Sequence, residues 1–265
     1  MVARTLGAMT NGTIHAVDEN LFLVEGEWPV WPVVSLPGPA VLRSGARLYL
    51  IDTGAGPHLR SAVRAVAASF GRSAEVTLIN SGRHPGLVGN NDLLDCLPAQ
   101  TRRYLRPPDP DRPAPDAPPE WPEDLQRAYP PIRATSVPGR DLDALGDRRE
   151  QRIGSTCWSG WTIADGLVAV EATSHTARLA FYLEKQRAML LPEELALAPA
   201  WPGSDVADVL RVGQLVLELI EAGTIDTLSL GFGPPLDAGS GREAVQDLVD
   251  RARISRAAAD GRITA

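Results

Sequence analysis

Along this chain, short stretches of alternating or wholly apolar residues give way repeatedly to apolar residues at helical spacing. "GTIHAVDENLFLVEGE" (12–27) reads as two short strands around an Asp-Glu-Asn turn. In "EWPVWPVVSLPGPA" the prolines at 29, 32, 37 and 39 exclude a central strand and leave an extended loop or edge segment. "AVLRSGARLYLID" reads as a hairpin turning at Ser44-Gly45, and Arg47 to Ile51 is apolar enough for a strand covered on both faces. Helical spacing follows, with Leu59, Val63, Val66 and Phe70 on one stripe, Pro57 in the first turn and Gly71 past the end. "AEVTLIN" is another buried-type strand, and it runs into "SGRHPGLVGNN" (81–91). "LVGNNDLLDCL" then predicts a short helix.

The second half repeats the alternation. "WTIADGLVAVEATSHTARLAFYLEKQRAMLLPEEL" predicts consecutive antiparallel strands with turns at Ala164-Asp165-Gly166 and near Lys185-Gln186. Ser204 is placed to cap a helix whose apolar stripe includes Val206, Val209, Leu210, Val216 and Ile220. "IDTLSLGFGPP" is a short buried strand ending in a Gly-rich loop. Ser240 and Glu243 have capping-box spacing for a last helix. Between the halves, Arg106 to Ile132 holds ten of the 23 prolines and reads as a surface insert (about 106–132) within one domain spanning 1–265. The order strands, helix, strands, helix, strand, helix suits two packed sheets with helices outside.

Composition narrows the partners. Hydrophobic residues are 44% and charged residues 22% of 265, and 26 Lys+Arg against 33 Asp+Glu give a net charge of −7. That balance argues against nucleic acid or an anionic membrane as partner. No apolar run approaches the roughly 18 residues of a membrane span. The opening "MVARTLGAMTNGTIHAV" has no apolar h-region, and Cys96 and Cys157 form neither a CxxC pair nor a disulfide framework. A cytoplasmic location is expected. Nothing in the pattern sets the oligomeric state.

The order of five short motifs resembles the metallo-β-lactamase fold superfamily. "LYLIDTGAG" matches that family's aspartate-threonine-glycine turn at Asp52, and "SGRHPGLVGNN" stands where the family has a His-x-His-x-Asp-His loop. "ATSHTARLAFYLE" resembles its glycine-histidine-threonine turn, "LLPEEL" its later glycine-aspartate pair, and "LGFGPP" its final glycine-histidine-glycine turn. The resemblance covers most of the chain. It implies an α/β fold, a four-layer αββα sandwich of the metallo-β-lactamase type.

Carried over residue by residue, the resemblance also implies a dismantled dinuclear site. The loop's first histidine becomes Gly82, its aspartate Gly86 and its last histidine Leu87, while the second histidine is kept as His84. The next motif's histidine is kept as His175. The bridging aspartate becomes Glu194, or Glu193 on a slipped register, and the final histidine becomes Phe232. Glycine, leucine and phenylalanine supply no donors, which argues against two zinc ions and against β-lactam hydrolysis. His84, His175 and Glu194 match a set for one zinc or iron ion, or else the two imidazoles work without metal. Asp52 is, by resemblance, an acid that steadies a ligand.

Two readings follow. In the first, an enzyme acts on an ester, thioester, lactone or related carbonyl of a small apolar or aromatic metabolite. His84, His175, Asp52 and Glu194 carry the chemistry, by one metal ion or by metal-free acid–base catalysis that extends to cyclisation, elimination or isomerisation. Trp28 and Trp31 on the proline-pinned loop, Arg83, Leu87 and Phe232 would meet the substrate. In the second, the chain is a non-catalytic ligand-binding or scaffold descendant of the fold. Structural roles compete at each position: loop histidines bonded to backbone, Asp52 capping its own turn, solvated Glu193 and Glu194, and tryptophans in ordinary packing. His15 and His58 have no motif around them, and "STCWSGW" has the side chains to line a pocket.

Overall fold

The computed structural model describes residues 4–5, 13–26, 38–71, 75–82, 85–96, 101–107, 133–145, 147–172, 178–192 and 206–259. They form two compact units, Met1–Ala144 with Gly231–Pro235, and Leu145–Leu230 with Leu236–Ala265.

In the first unit the described strands make one sheet of eight, paired in chain order. They are β1 (Arg4–Thr5), β2 (Ile14–Ala16), β3 (Leu21–Val24), β4 (Ala40–Ser44), β5 (Arg47–Ile51), β6 (Glu75–Ile79), β7 (Thr101–Arg106) and β8 (Gly139–Asp141). Pairing is antiparallel from β1 to β5 and parallel from β5 to β8. Asp18 makes the first turn by accepting the N–H groups of Asn20 and Leu21, both at 2.7 Å. The near-continuous apolar runs of β5 and β6 suit central parallel strands, and Leu50, Leu78 and Ile79 are fully buried. Each contributes about 1.5–3 kcal/mol by leaving water.

Helix α1 (Pro57–Ser69) connects β5 to β6 and buries Leu59, Ala62, Val63, Val66 and Ala67. Phe70, just beyond its end, is half-buried and meets Phe22 of β3 edge-on, with ring centroids 5.4 Å apart. The β4–β5 turn falls at Gly45-Ala46, one residue later than expected, because Gly45 supplies its positive φ of 60°. The single helix expected over "LVGNNDLLDCL" is instead two one-turn helices, α2 (Pro85–Val88) and α3 (Leu93–Cys96). Asn90 and Asn91 interrupt them with side-chain bonds that compete with helix.

In the second unit the described strands make a sheet of seven. They are β9 (Arg149–Ile153), β10 (Thr156–Ala164), β11 (Leu167–Glu171), β12 (Leu179–Leu183), β13 (Ala188–Leu190), β14 (Thr227–Ser229) and β15 (Leu236–Asp237). Their order is β15-β14-β13-β12-β11-β10-β9. The meander β9–β13 is antiparallel, with the turns expected at 164–166 and near 185–186, and β13 pairs with β14 in parallel. Helices α4 (Val206–Glu221) and α5 (Ala238–Ala259) bury Val209, Val212, Val216, Val245, Leu248 and Val249 in a core with Trp158, Val170, Tyr182 and Met189. A side chain on Gly213 of α4 would come within 2.5 Å of Val249 of α5, so the close crossing needs glycine there.

α5 begins earlier than the expected Ser240 cap. Asp237 is its cap, accepting the Ser240 N–H at 2.8 Å, and that bond with the Ser240 hydroxyl holds the Asp237 carboxyl below the usual carboxylate range. No helix of the described residues is long and apolar enough to cross a membrane. The proline-rich stretch lies outside the described residues from 108 to 132, as does Ser204.

Candidate functional site

Strand β5 ends by delivering Asp52 into a turn. The Asp52 N–H still donates to Ile79 O at 2.8 Å, extending the parallel ladder by one bond. Its own φ is 57°, the left-handed region that aspartate tolerates better than most side chains. The carboxylate, 7% exposed, faces the end of β6. Oδ1 accepts the Ser81 N–H at 2.8 Å and the Asn80 side-chain amide at 3.4 Å, and Oδ2 accepts the Ser81 hydroxyl at 2.7 Å. The acid therefore fixes the first residue of the 81–91 loop.

The far end of that loop is fixed to the same turn. The Thr53 N–H donates to Leu87 O at 2.9 Å, and the Thr53 hydroxyl donates to Asn91 Oδ1 at 2.9 Å. The Asn90 side-chain amide lies 3.3, 3.2 and 3.0 Å from the carbonyls of Thr53, Gly54 and Gly56. Asn91 then closes the circuit, its amide donating to Asn80 Oδ1 at 2.9 Å and to the Tyr104 hydroxyl of β7 at 3.2 Å. Thr53, Asn80, Ser81, Asn90 and Asn91 are all buried. Buried polar groups are costly unless partnered, and these partner one another across three segments of chain.

Between the two anchors, Gly82, Gly86 and Leu87 are buried, as is Phe232 on the Gly-rich loop after β14. Within the first unit, the Gly38 N–H donates to Gly231 O of that loop at 2.8 Å. The four positions that lack donor side chains are thus packed into the protein. His84, Arg83, His175, Glu193, Glu194, Trp28 and Trp31 lie outside the described residues. Among the described residues no group of three or more His, Cys, Asp or Glu side chains is placed to hold a metal ion.

His15 pairs with Glu25, Nε2 to Oε2 at 3.0 Å, and His58 lies in the first turn of α1. In "STCWSGW", Trp158 and Trp161 are buried while Cys157 is exposed. Burial gives the two indoles a core role within their unit. The sequence reading missed the asparagines. Their signal was present as Asn80 before the loop and Asn90-Asn91 at its end, amides flanking an otherwise apolar strand and helix.

No protein-family model matches this sequence. No curated protein matches it either. Solved structures do. The chain is similar to the DIM-1 metallo-β-lactamase in a crystal exposed to ceftazidime, with a TM-score of 0.58 and 11% identity over 96% of this chain and 98% of that one. It is similar to a metallo-β-lactamase from Erythrobacter litoralis, with a TM-score of 0.57 and 13% identity over 93% of this chain and 98% of that one. A metallo-β-lactamase family protein from Thermus thermophilus matches with a TM-score of 0.54 and 17% identity over 90% of this chain and 81% of that one.

Proposed function

We propose that this chain, which has the metallo-β-lactamase fold, is a one-domain enzyme that holds at most one metal ion. It acts on the electrophilic carbonyl of a small apolar or aromatic metabolite, such as an ester, thioester or lactone. The observation that supports this most is a loop that keeps a single histidine among the positions compared, yet is held at both ends. Gly82, Gly86, Leu87 and Phe232 offer no metal-binding atom, while Asp52, Thr53 and the three asparagines direct a buried network at the segment that carries His84.

Two zinc ions do not fit this donor set, so no step runs through a pair of ions. One zinc or iron(II) ion suits His84, His175 and Glu194, and when bound it would supply an activated water. The chain's own groups do the rest. In the alternative without metal, a neutral imidazole of the His84/His175 pair takes a proton from the attacking group, and the protonated partner returns one to the leaving group. Leu87 and Phe232 make that side of the site dry, which raises the cost of charge and favours a neutral imidazole. Arg83 meets the oxygen that gains negative charge, and Trp28 and Trp31 flank an apolar substrate. The exposed free thiols Cys96 and Cys157 suit a reducing cytoplasm.

The test is a panel of aryl esters, thioesters and lactones assayed with the wild type, His84→Ala and His175→Ala. Each substitution is expected to lower kcat/KM by about 10²-fold or more. Activity that survives both substitutions would overturn the roles given to the pair. No activity in any class, together with tight binding of one of the compounds, would favour a non-catalytic ligand-binding descendant instead.

A further inference from the structure

β9 is an outermost strand of its sheet among the described residues, and its Arg149, Glu150 and Arg152 are exposed. The hairpin it makes with β10 decides which backbone groups face the open edge. Ile153 pairs with Thr156 across the two-residue turn Gly154-Ser155, where Gly154 has φ 56°. Residues that flank such a turn exchange both of their hydrogen bonds, and every second pair beyond them does the same. The bonded pairs are therefore Ile153/Thr156, Gln151/Trp158 and Arg149/Gly160. The N–H and C=O groups of Glu150 and Arg152 point the other way, out of the sheet.

We propose that two copies of this chain pair through this edge, β9 against β9, antiparallel about a two-fold axis at Gln151. In that register Glu150 of one copy lies opposite Arg152 of the other, twice by symmetry. The outward backbone groups of these residues then form four hydrogen bonds, and their side chains share one face because they are two residues apart. Charge selects the register. A shift of two residues either way sets Glu150 against Glu150 or Arg152 against Arg152, and a shift of one sends the side chains to opposite faces. Gln151 leaves the axis clear, since its side chain is held over its own sheet by Gly160 O at 3.3 Å and the Thr162 hydroxyl at 3.0 Å. Beside Glu150 and Arg152 on that face of the hairpin, Cys157 lies opposite Arg152 and Ser159 opposite Glu150. Charged side chains commonly keep an edge strand from random pairing. With opposite signs at these two positions, the same defence admits the chain's own copy.

The contact is short and belongs with small, concentration-dependent interfaces. Sedimentation equilibrium of the full chain, from about 5 µM to about 1 mM, tests it. The wild-type mass is expected to rise from 28.4 kDa towards twice that value with concentration. Glu150→Arg and Arg152→Glu should each weaken self-association at least about tenfold, because like charges then face each other twice. An equimolar mixture of the two variants should associate one to one, since one edge then carries two positive charges and the other two negative. A wild type that stays monomeric, single variants that associate as the wild type does, or a mixture that fails to pair would each overturn the proposal.

Discussion

Asp52 spends its whole carboxylate on its surroundings: both oxygens accept hydrogen bonds, and Ser81 supplies two of the donors. Removing it leaves a buried N–H and a buried hydroxyl with a partner gone. Asp52→Ala is therefore expected to cost about 3 kcal/mol and Ser81→Ala about 1–2 kcal/mol in urea unfolding. Because they share one network, the double variant should cost less than the sum, with a coupling of about 1 kcal/mol or more. Strict additivity would mean that the contact contributes nothing. Asp52 was legible in the sequence because an aspartate-threonine-glycine turn after an apolar run is a local pattern. The Asn80–Asn91 amide pair was not, since it depends on β6 and the end of the loop meeting in space. Local propensity marks asparagine only as a turn residue.

At the scale of elements, the start of α5 shows how a cap is chosen. Ser240 with Glu243 has the spacing of a capping box, yet Asp237, three residues earlier, takes the role because its carboxylate accepts the Ser240 N–H. The Asp237 carboxyl is held below its ordinary pKa by that N–H and by the Ser240 hydroxyl. A depressed folded-state pKa stabilises the protein above the ordinary value and loses that effect as pH falls through the folded value. Asp237→Ala should therefore lower the melting temperature at neutral pH, and its gap from the wild type should close below pH 3.8. A gap that stays constant into strong acid would show that charge plays no part in this cap. Strands and the long helix α1 were readable because their apolar periods are unbroken. Where single residues decide, as at Gly45 in its turn and Asn90 between α2 and α3, the boundaries moved.

Over the whole molecule, five weak motifs in the right order indicated the fold, although the sequence matches no family model and the similar solved structures share only 11–17% of its residues. Fold survives such divergence because it rests on the apolar period of strands and helices, which many sequences satisfy. In the proposed reading the site does not survive in the same way. Ligands are single side chains, and the proposal is that Gly82, Gly86, Leu87 and Phe232 stand where such side chains would be, on strands that still form. Asp52, Thr53, Ser81 and the asparagines hold the two described ends of the loop. The most direct test of the proposed dismantled centre is metal content by mass spectrometry on the purified chain, before and after reloading with excess zinc, and again on His84→Ala. No more than one ion per chain is expected under any loading, and any ion present should be lost from the variant. Two ions per chain would contradict the dismantled site and return the protein to two-metal hydrolysis.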